Sequence, residues 1–144
     1  MPWPRRFLGL PLHPMLVHFP LCCWVCAPVF DVLALAGTPR PEWWRLAGAT
    51  TIAGVIVGAA AVVTGLLDYI FLSDTGSSDV RLAARHGVRT SLVWFVMTGK
   101  MIVVTVSSGG RNLIASCLIV DCLACALLLQ AMFLGTKIVY RSDR

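Results

Sequence analysis

A chain of 144 residues with 58% hydrophobic and 13% charged positions carries too little polar surface for a soluble two-domain enzyme. Its formal charge of +5 sits on arginines and lysines that flank apolar runs, with no separate basic domain, which argues against nucleic acid as a partner. No nucleophile–base pair, Walker loop or hydrolase motif occurs, so an electron-transfer role is the most that an enzymatic reading allows.

Four apolar stretches reach or approach the roughly 20 residues needed to cross a bilayer core. They cover residues 14–36, 46–72, 88–107 and 113–134. Arg5 and Arg6 precede the first, but no small-residue cleavage site follows a short apolar core, so it reads as a retained helix. The expected fold is all-α: an integral membrane antiparallel four-helix bundle with short loops, forming one four-span domain over 1–144.

The first loop, from Gly37 to Glu42, stops one helix and starts the next. Gly37 suits a C-terminal cap, and Pro41 with Glu42 suits a first turn. Trp43 and Trp44 are expected at the membrane interface. In the second helix Gly54 and Gly58 stand four residues apart, with Gly65 beyond. That small-residue face admits close approach by another helix, from a membrane-protein partner or a second copy of the chain. The middle loop from Ser73 to Asp79 is polar, and Ser78 or Asp79 could cap a short helix over 80–86. Arg81, Arg85 and Arg89 then share one helical face, suited to lipid phosphates or to clamping carboxylates such as haem propionates. The last loop, from Ser107 to Asn112, is a tight hairpin. No internal repeat is expected.

An even number of spans leaves both termini and the middle loop on one side. Arg5, Arg6, Arg81, Arg85, Arg89, Lys137, Arg141 and Arg144 lie there, against Arg40, Arg45 and Arg111 on the other. The basic excess predicts that the termini are cytoplasmic.

The same end collects most of the titratable chemistry. His13 and His18 open the first helix, Asp68 and Tyr69 close the second, His86 opens the third and Tyr140 follows the fourth. Five residues separate His13 from His18, about 140° around an ideal helix, so the two rings point differently unless Pro14 or Pro20 distorts the turn. His18 lies deeper and is the expected inward ligand, with His86 as its partner on a haem iron or metal ion and His13 assisting. The bland alternative is that each ring satisfies a backbone carbonyl or an Asp.

Toward the other end Asp31, Lys100 and Asp121 lie in three different spans, about 8–15 Å from the boundary at ~1.5 Å per residue. Buried charges must pair, so Lys100 is expected against Asp121 or Asp31, as a structural ion pair or part of a proton path. The six cysteines all fall within spans. Cys23 with Cys26, and Cys122 with Cys125, repeat a two-residue gap near mid-membrane, but thiolates there need charge compensation, and small apolar packing is the expected role.

The opening Leu12-His13-Pro14-Met15-Leu16-Val17-His18-Phe19-Pro20, followed by Phe30-Asp31-Val32-Leu33, resembles a bacterial membrane family catalogued as domain of unknown function 2231. Thr64-Gly65-Leu66-Leu67-Asp68-Tyr69, His86 and the closing Gly135-Thr136-Lys137-Ile138-Val139-Tyr140 are similar to its later motifs. The family pattern carries an Asn where this chain has Thr90, and a His-Gly pair beyond the closing Tyr that this chain lacks. The resemblance implies a four-helix protein of the bacterial inner membrane. The family's frequent company with redox proteins favours a haem b or a transition metal over no cofactor. The sequence thus points to a small redox subunit that passes electrons to a partner or quinone. A non-catalytic scaffold subunit of a larger complex is the alternative, and a proton-coupled transporter comes last.

Overall fold

Three turn signals and four apolar runs set the element boundaries. The structure, a computed structural model, describes residues 6–7, 10–36, 41–74 and 79–141, with side chains placed for 12–36, 41–74 and 79–138. A short antiparallel pair, β1 (Arg6–Phe7) and β2 (Leu10–Pro11), leads directly into α1 (Leu12–Leu35). Then come α2 (Pro41–Asp74), α3 (Val80–Val106) and α4 (Arg111–Arg141). All four are long and apolar enough to cross a membrane. Pro41 opens α2 with Glu42 in its first turn, as fixed φ and the helix dipole favour. At 34 residues α2 is about 51 Å long, so it overruns a ~30 Å hydrocarbon core by several turns.

The separate short helix over 80–86 does not form. Its residues are the first turns of α3, begun at Asp79 without a side-chain cap bond. Gly87 alone costs only about 1 kcal/mol in a helix interior, too little to break a hydrogen-bonded ladder in lipid.

The helices alternate in direction and pack as a ring: α1 and α3 each contact both α2 and α4. The bundle is apolar outside and close-packed inside. Val25, Val29, Ile56, Val63, Phe95 and Phe133 face outward, whereas Ala27, Ala47, Ala61, Ala124 and Ala131 are buried. One core cluster gathers Trp24, Val55, Val93, Met97, Ala124 and Leu128, and a second joins Trp44, Ile114 and Cys117 nearer the α1–α2 and α3–α4 connections. Pro28, inside α1, has no N–H for the Trp24 carbonyl, and the Cys125 thiol of α4 donates to that oxygen at 3.7 Å.

The Gly54 and Gly58 face is covered from within the chain. A Cβ on Gly54 would lie 2.5 Å from Trp24 Nε1, and one on Gly58 would lie 3.0 Å from Trp94 Cδ1 and 3.1 Å from Trp24 Cη2. It therefore seats two indoles and is closed to a second copy of the chain. Trp44 is turned into the bundle at the end where the α3–α4 loop lies. It is buried, its Nε1 donates to the Ser107 carbonyl at 3.3 Å, and Gly109 lies on its ring with φ of 79°. Trp43 instead stacks on Phe30, ring centres 6.1 Å apart. A Cβ at Gly109 would come 2.9 Å from the Trp44 ring, in a backbone conformation that L residues resist. Gly109→Ala is expected to cost about 1–3 kcal/mol. Thermal unfolding in detergent checks this against Gly110→Ala, whose Cβ meets nothing within 4 Å and should be silent.

The burial pattern repeats between the two hairpins, contrary to expectation. Pro20, Trp24 and Ala27 of α1 recur at a constant spacing as Val93, Met97 and Lys100 of α3, all buried. The buried Trp44, Ala47, Thr51, Gly54, Gly58 and Ala61 of α2 recur in the same way as Ile114, Cys117, Asp121, Ala124, Leu128 and Ala131 of α4. His13 and His86 are related by the α1–α3 spacing too.

Candidate functional site: a histidine pair and a buried charge cluster

His13, on the first turn of α1, turns toward α2. Its Nδ1 lies 2.9 Å from the Ala61 carbonyl and 3.4 Å from Thr64 Oγ1. His86, on α3, turns toward α4 and sets its Nδ1 2.8 Å from the Ala131 carbonyl. A carbonyl oxygen can only accept, so each Nδ1 carries the hydrogen, and a neutral imidazole bonded in this way has its lone pair on Nε2. Neither Nε2 has a hydrogen-bond partner among the described residues. The ring centres are 6.3 Å apart and the planes cross at 86°.

Each ring needs a notch in the facing helix. A Cβ on Gly65 would lie 2.7 Å from His13 Cε1, and one on Gly135 would lie 3.2 Å from His86 Cε1. In both helices the accepting alanine stands one turn before the glycine: Ala61 before Gly65, Ala131 before Gly135. Sequence reading missed these alanines. The signal was present as two small-residue steps of the same length, each able to receive a ring from the preceding helix.

His18 is the correction. It is exposed, with Nδ1 on the Pro14 carbonyl of its own helix at 2.6 Å, and His13 is the ring that faces His86. The helical angle between the two histidines holds through Pro14, so only one can face inward, and the α2 notch selects His13.

The pair lies in a cavity of about 760 Å³ at the end of the bundle where α1 begins and α2 ends. Trp24, Trp94, Leu128 and Ala131 line it, with Asp68, Tyr69 and His18 also bordering it. Arg81 and Arg85 are exposed, Arg89 donates to the Arg85 carbonyl at 3.1 Å, and none of the three is among the lining residues. Of the two roles open to these arginines, a clamp at the cavity is not assembled, which leaves contact with lipid phosphates. The Tyr140 side chain lies outside the described residues.

At the other end Lys100 joins both candidate partners at once. Its Nζ donates to Asp31 Oδ2 at 2.8 Å and to Asp121 Oδ2 at 2.6 Å, with all three side chains essentially unexposed. The cluster ties α1, α3 and α4 together. The cysteines do not converge: Cys22, Cys26 and Cys122 are exposed, Cys117 is buried, Cys23 and Cys125 are half-buried, and all are free thiols. Among the described residues no group of three or more His, Cys, Asp or Glu is placed to hold a metal ion.

With four spans, the double-histidine opening and the closing glycine motif in place, comparison with known families is decisive. The family model described as predicted membrane protein (DUF2231) matches residues 9–143. The chain belongs to this family. The match extends over all four helices of the DUF2231 bundle and includes His13, His86, Gly65 and Gly135. No curated protein and no solved structure gives a match.

Proposed function

We propose that this chain is a small b-type haem protein of the bacterial inner membrane, in which His13 and His86 would hold the haem iron, with an electron-transfer role toward a membrane partner or quinone. The observation that carries this reading is the pairing of two rings with Nδ1–H tied to backbone and Nε2 left without a partner. Metal-ligating histidines are oriented in this way: the bound Nδ1–H fixes the tautomer and raises the basicity of the other nitrogen. Two imidazoles sharing one ion at about 2 Å each have ring centres on the order of 6 Å apart, and here they are 6.3 Å apart. The cavity of about 760 Å³ falls in the range of about 300–1,000 Å³ typical of cofactor sites. A bare ion would find only two histidines here, whereas a porphyrin brings its own equatorial nitrogens.

A haem held by two imidazoles supplies one-electron oxidation and reduction. The chain's own contribution is to hold the rings. Ala61 and Ala131 fix their tautomers, Gly65 and Gly135 admit them to the helix surface, and Trp24, Trp94 and Leu128 exclude water. The basic excess on the terminal side places the termini in the cytoplasm in this reading, which a reporter fused to the C-terminus checks.

The test is an absorption spectrum of the detergent-purified protein, oxidised and dithionite-reduced, with metal analysis of the same sample. A Soret band with sharp reduced bands is expected in the wild type and in His18→Ala, and is expected to vanish in His13→Ala and in His86→Ala. A colourless, iron-free protein that also fails to take up added haem would overturn the proposal. That outcome would favour the scaffold reading, which the same hydrogen bonds support: His13 tied to Ala61 and His86 tied to Ala131 each fasten one helix of a hairpin to the other.

A further inference from the structure

We propose that the Asp31–Lys100–Asp121 cluster is a proton-binding site that holds one exchangeable proton between its two carboxyl groups. Two carboxylates and one ammonium leave a net negative charge, and Asp31 and Asp121 are both 0% exposed. Such a charge, buried in a membrane-spanning bundle, draws in a cation or a proton. Lys100 satisfies one oxygen of each carboxyl group, and Asp31 Oδ1 and Asp121 Oδ1 are buried with no hydrogen-bond partner among the described residues.

The surroundings supply nothing else to neutralise the charge. From α4, Cys117 and Cys125 are close enough to interact electrostatically with the cluster, and neither is a counter-charge. From α2, the buried Thr51 donates its hydroxyl to the Ala47 carbonyl at 2.8 Å, and no charged side chain of that helix is buried. From α1 and α3 only Asp31 and Lys100 themselves are charged and buried. A metal cation would sit beside the Lys100 ammonium and would find only two carboxylates. A proton needs neither space nor further ligands. Placed on one Oδ1, it turns that oxygen into a donor and makes the cluster neutral: one acid, one carboxylate, one ammonium. The site lies in the half of the bundle away from the histidines, separated from them by the Trp24–Met97 core layer, and does not depend on what those rings hold.

Infrared spectroscopy of the full chain, labelled with carbon-13 in its aspartates and reconstituted in lipid at neutral pH, tests this. The expected result is a protonated-carboxyl C=O band that shifts in D₂O. The band should be lost in Asp31→Asn and equally in Asp121→Asn, because either change leaves a single carboxylate paired with Lys100, and it should persist in Asp68→Asn. Absence of the band in the wild type would overturn the proposal, as would its survival in both single variants or its loss in Asp68→Asn. Stabilisation of the wild type by sodium or potassium at constant ionic strength would also overturn it, by assigning the site to a metal cation. If the Asn variants do not fold, persistence of the band when Asp68, Asp74, Asp79 and Asp143 are all replaced by Asn assigns it to Asp31 or Asp121, and its loss there overturns the proposal.

Discussion

Lys100→Met is expected to destabilise the bundle by about 3–5 kcal/mol, the usual loss when one partner of a buried ion pair is removed. The residue is 4% exposed and is the cation shared by Asp31 and Asp121, so its loss strands two carboxyl groups in the interior. Water cannot reach them, and no other buried cation occurs among the described residues. Three helices lose their common attachment together. Unfolding in detergent mixtures, followed by loss of helical signal, measures the effect. The informative companion is the triple variant Lys100→Met, Asp31→Asn, Asp121→Asn. Removing all the charges at once should recover much of the loss, because buried ion pairs contribute little net stability relative to neutral replacements. A triple variant as unstable as the single one would mean that the cluster acts through shape and hydrogen bonds instead of charge.

The second large effect is steric. Gly54→Val is expected to cost about 1–3 kcal/mol by overpacking. A Cβ there would stand 2.5 Å from Trp24 Nε1, 2.8 Å from Trp24 Cδ1 and 3.1 Å from Cys23 Cβ. Trp24 is 5% exposed, lies along Gly58 of α2 as well, and shares one core cluster with Val93, Met97 and Leu128, so its ring has little room to retreat and α1 must move away from α2. Trp24→Leu in the Gly54→Val background should restore part of the loss by returning volume to the contact. Gly99→Ala is the control: its Cβ meets nothing within 4 Å on an exposed face. Thermal unfolding of the three variants separates a specific collision from a general intolerance of substitution at glycine.

The parts of this fold legible in the sequence are those that lipid imposes. A span must be long and apolar, and a charge inside one must find a partner, so the helices and the Lys100 cluster follow from residue type and counting. Direction around a helix is harder to read. Whether His13 or His18 faces the interior depends on where α2 offers a notch, and that notch is made by Ala61 and Gly65, residues with no chemistry of their own. That Trp44 turns inward likewise depends on Gly109, far along the chain, which provides the backbone on which its ring lies. Arg81, Arg85 and Arg89 do share a face, but periodicity does not say what that face meets. The repeat between hairpins is hard to see because most paired core positions share burial and not chemistry: Pro20 answers to Val93, Trp24 to Met97, Thr51 to Asp121, while His13 and His86, Ala61 and Ala131, and Gly65 and Gly135 keep the residue type.

That unlike chemistry in like places bears on how the chain assembles. Ribosomes deliver α1 and α2 first, so Asp31 reaches the bilayer two helices before Lys100 exists to meet it. The later hairpin carries ammonium and carboxylate together and can balance itself, whereas the earlier one cannot. Until α3 arrives, the first hairpin must keep Asp31 near the headgroups or in its acid form. The counter-charge for Asp31 is thus supplied only by the second hairpin, through Lys100.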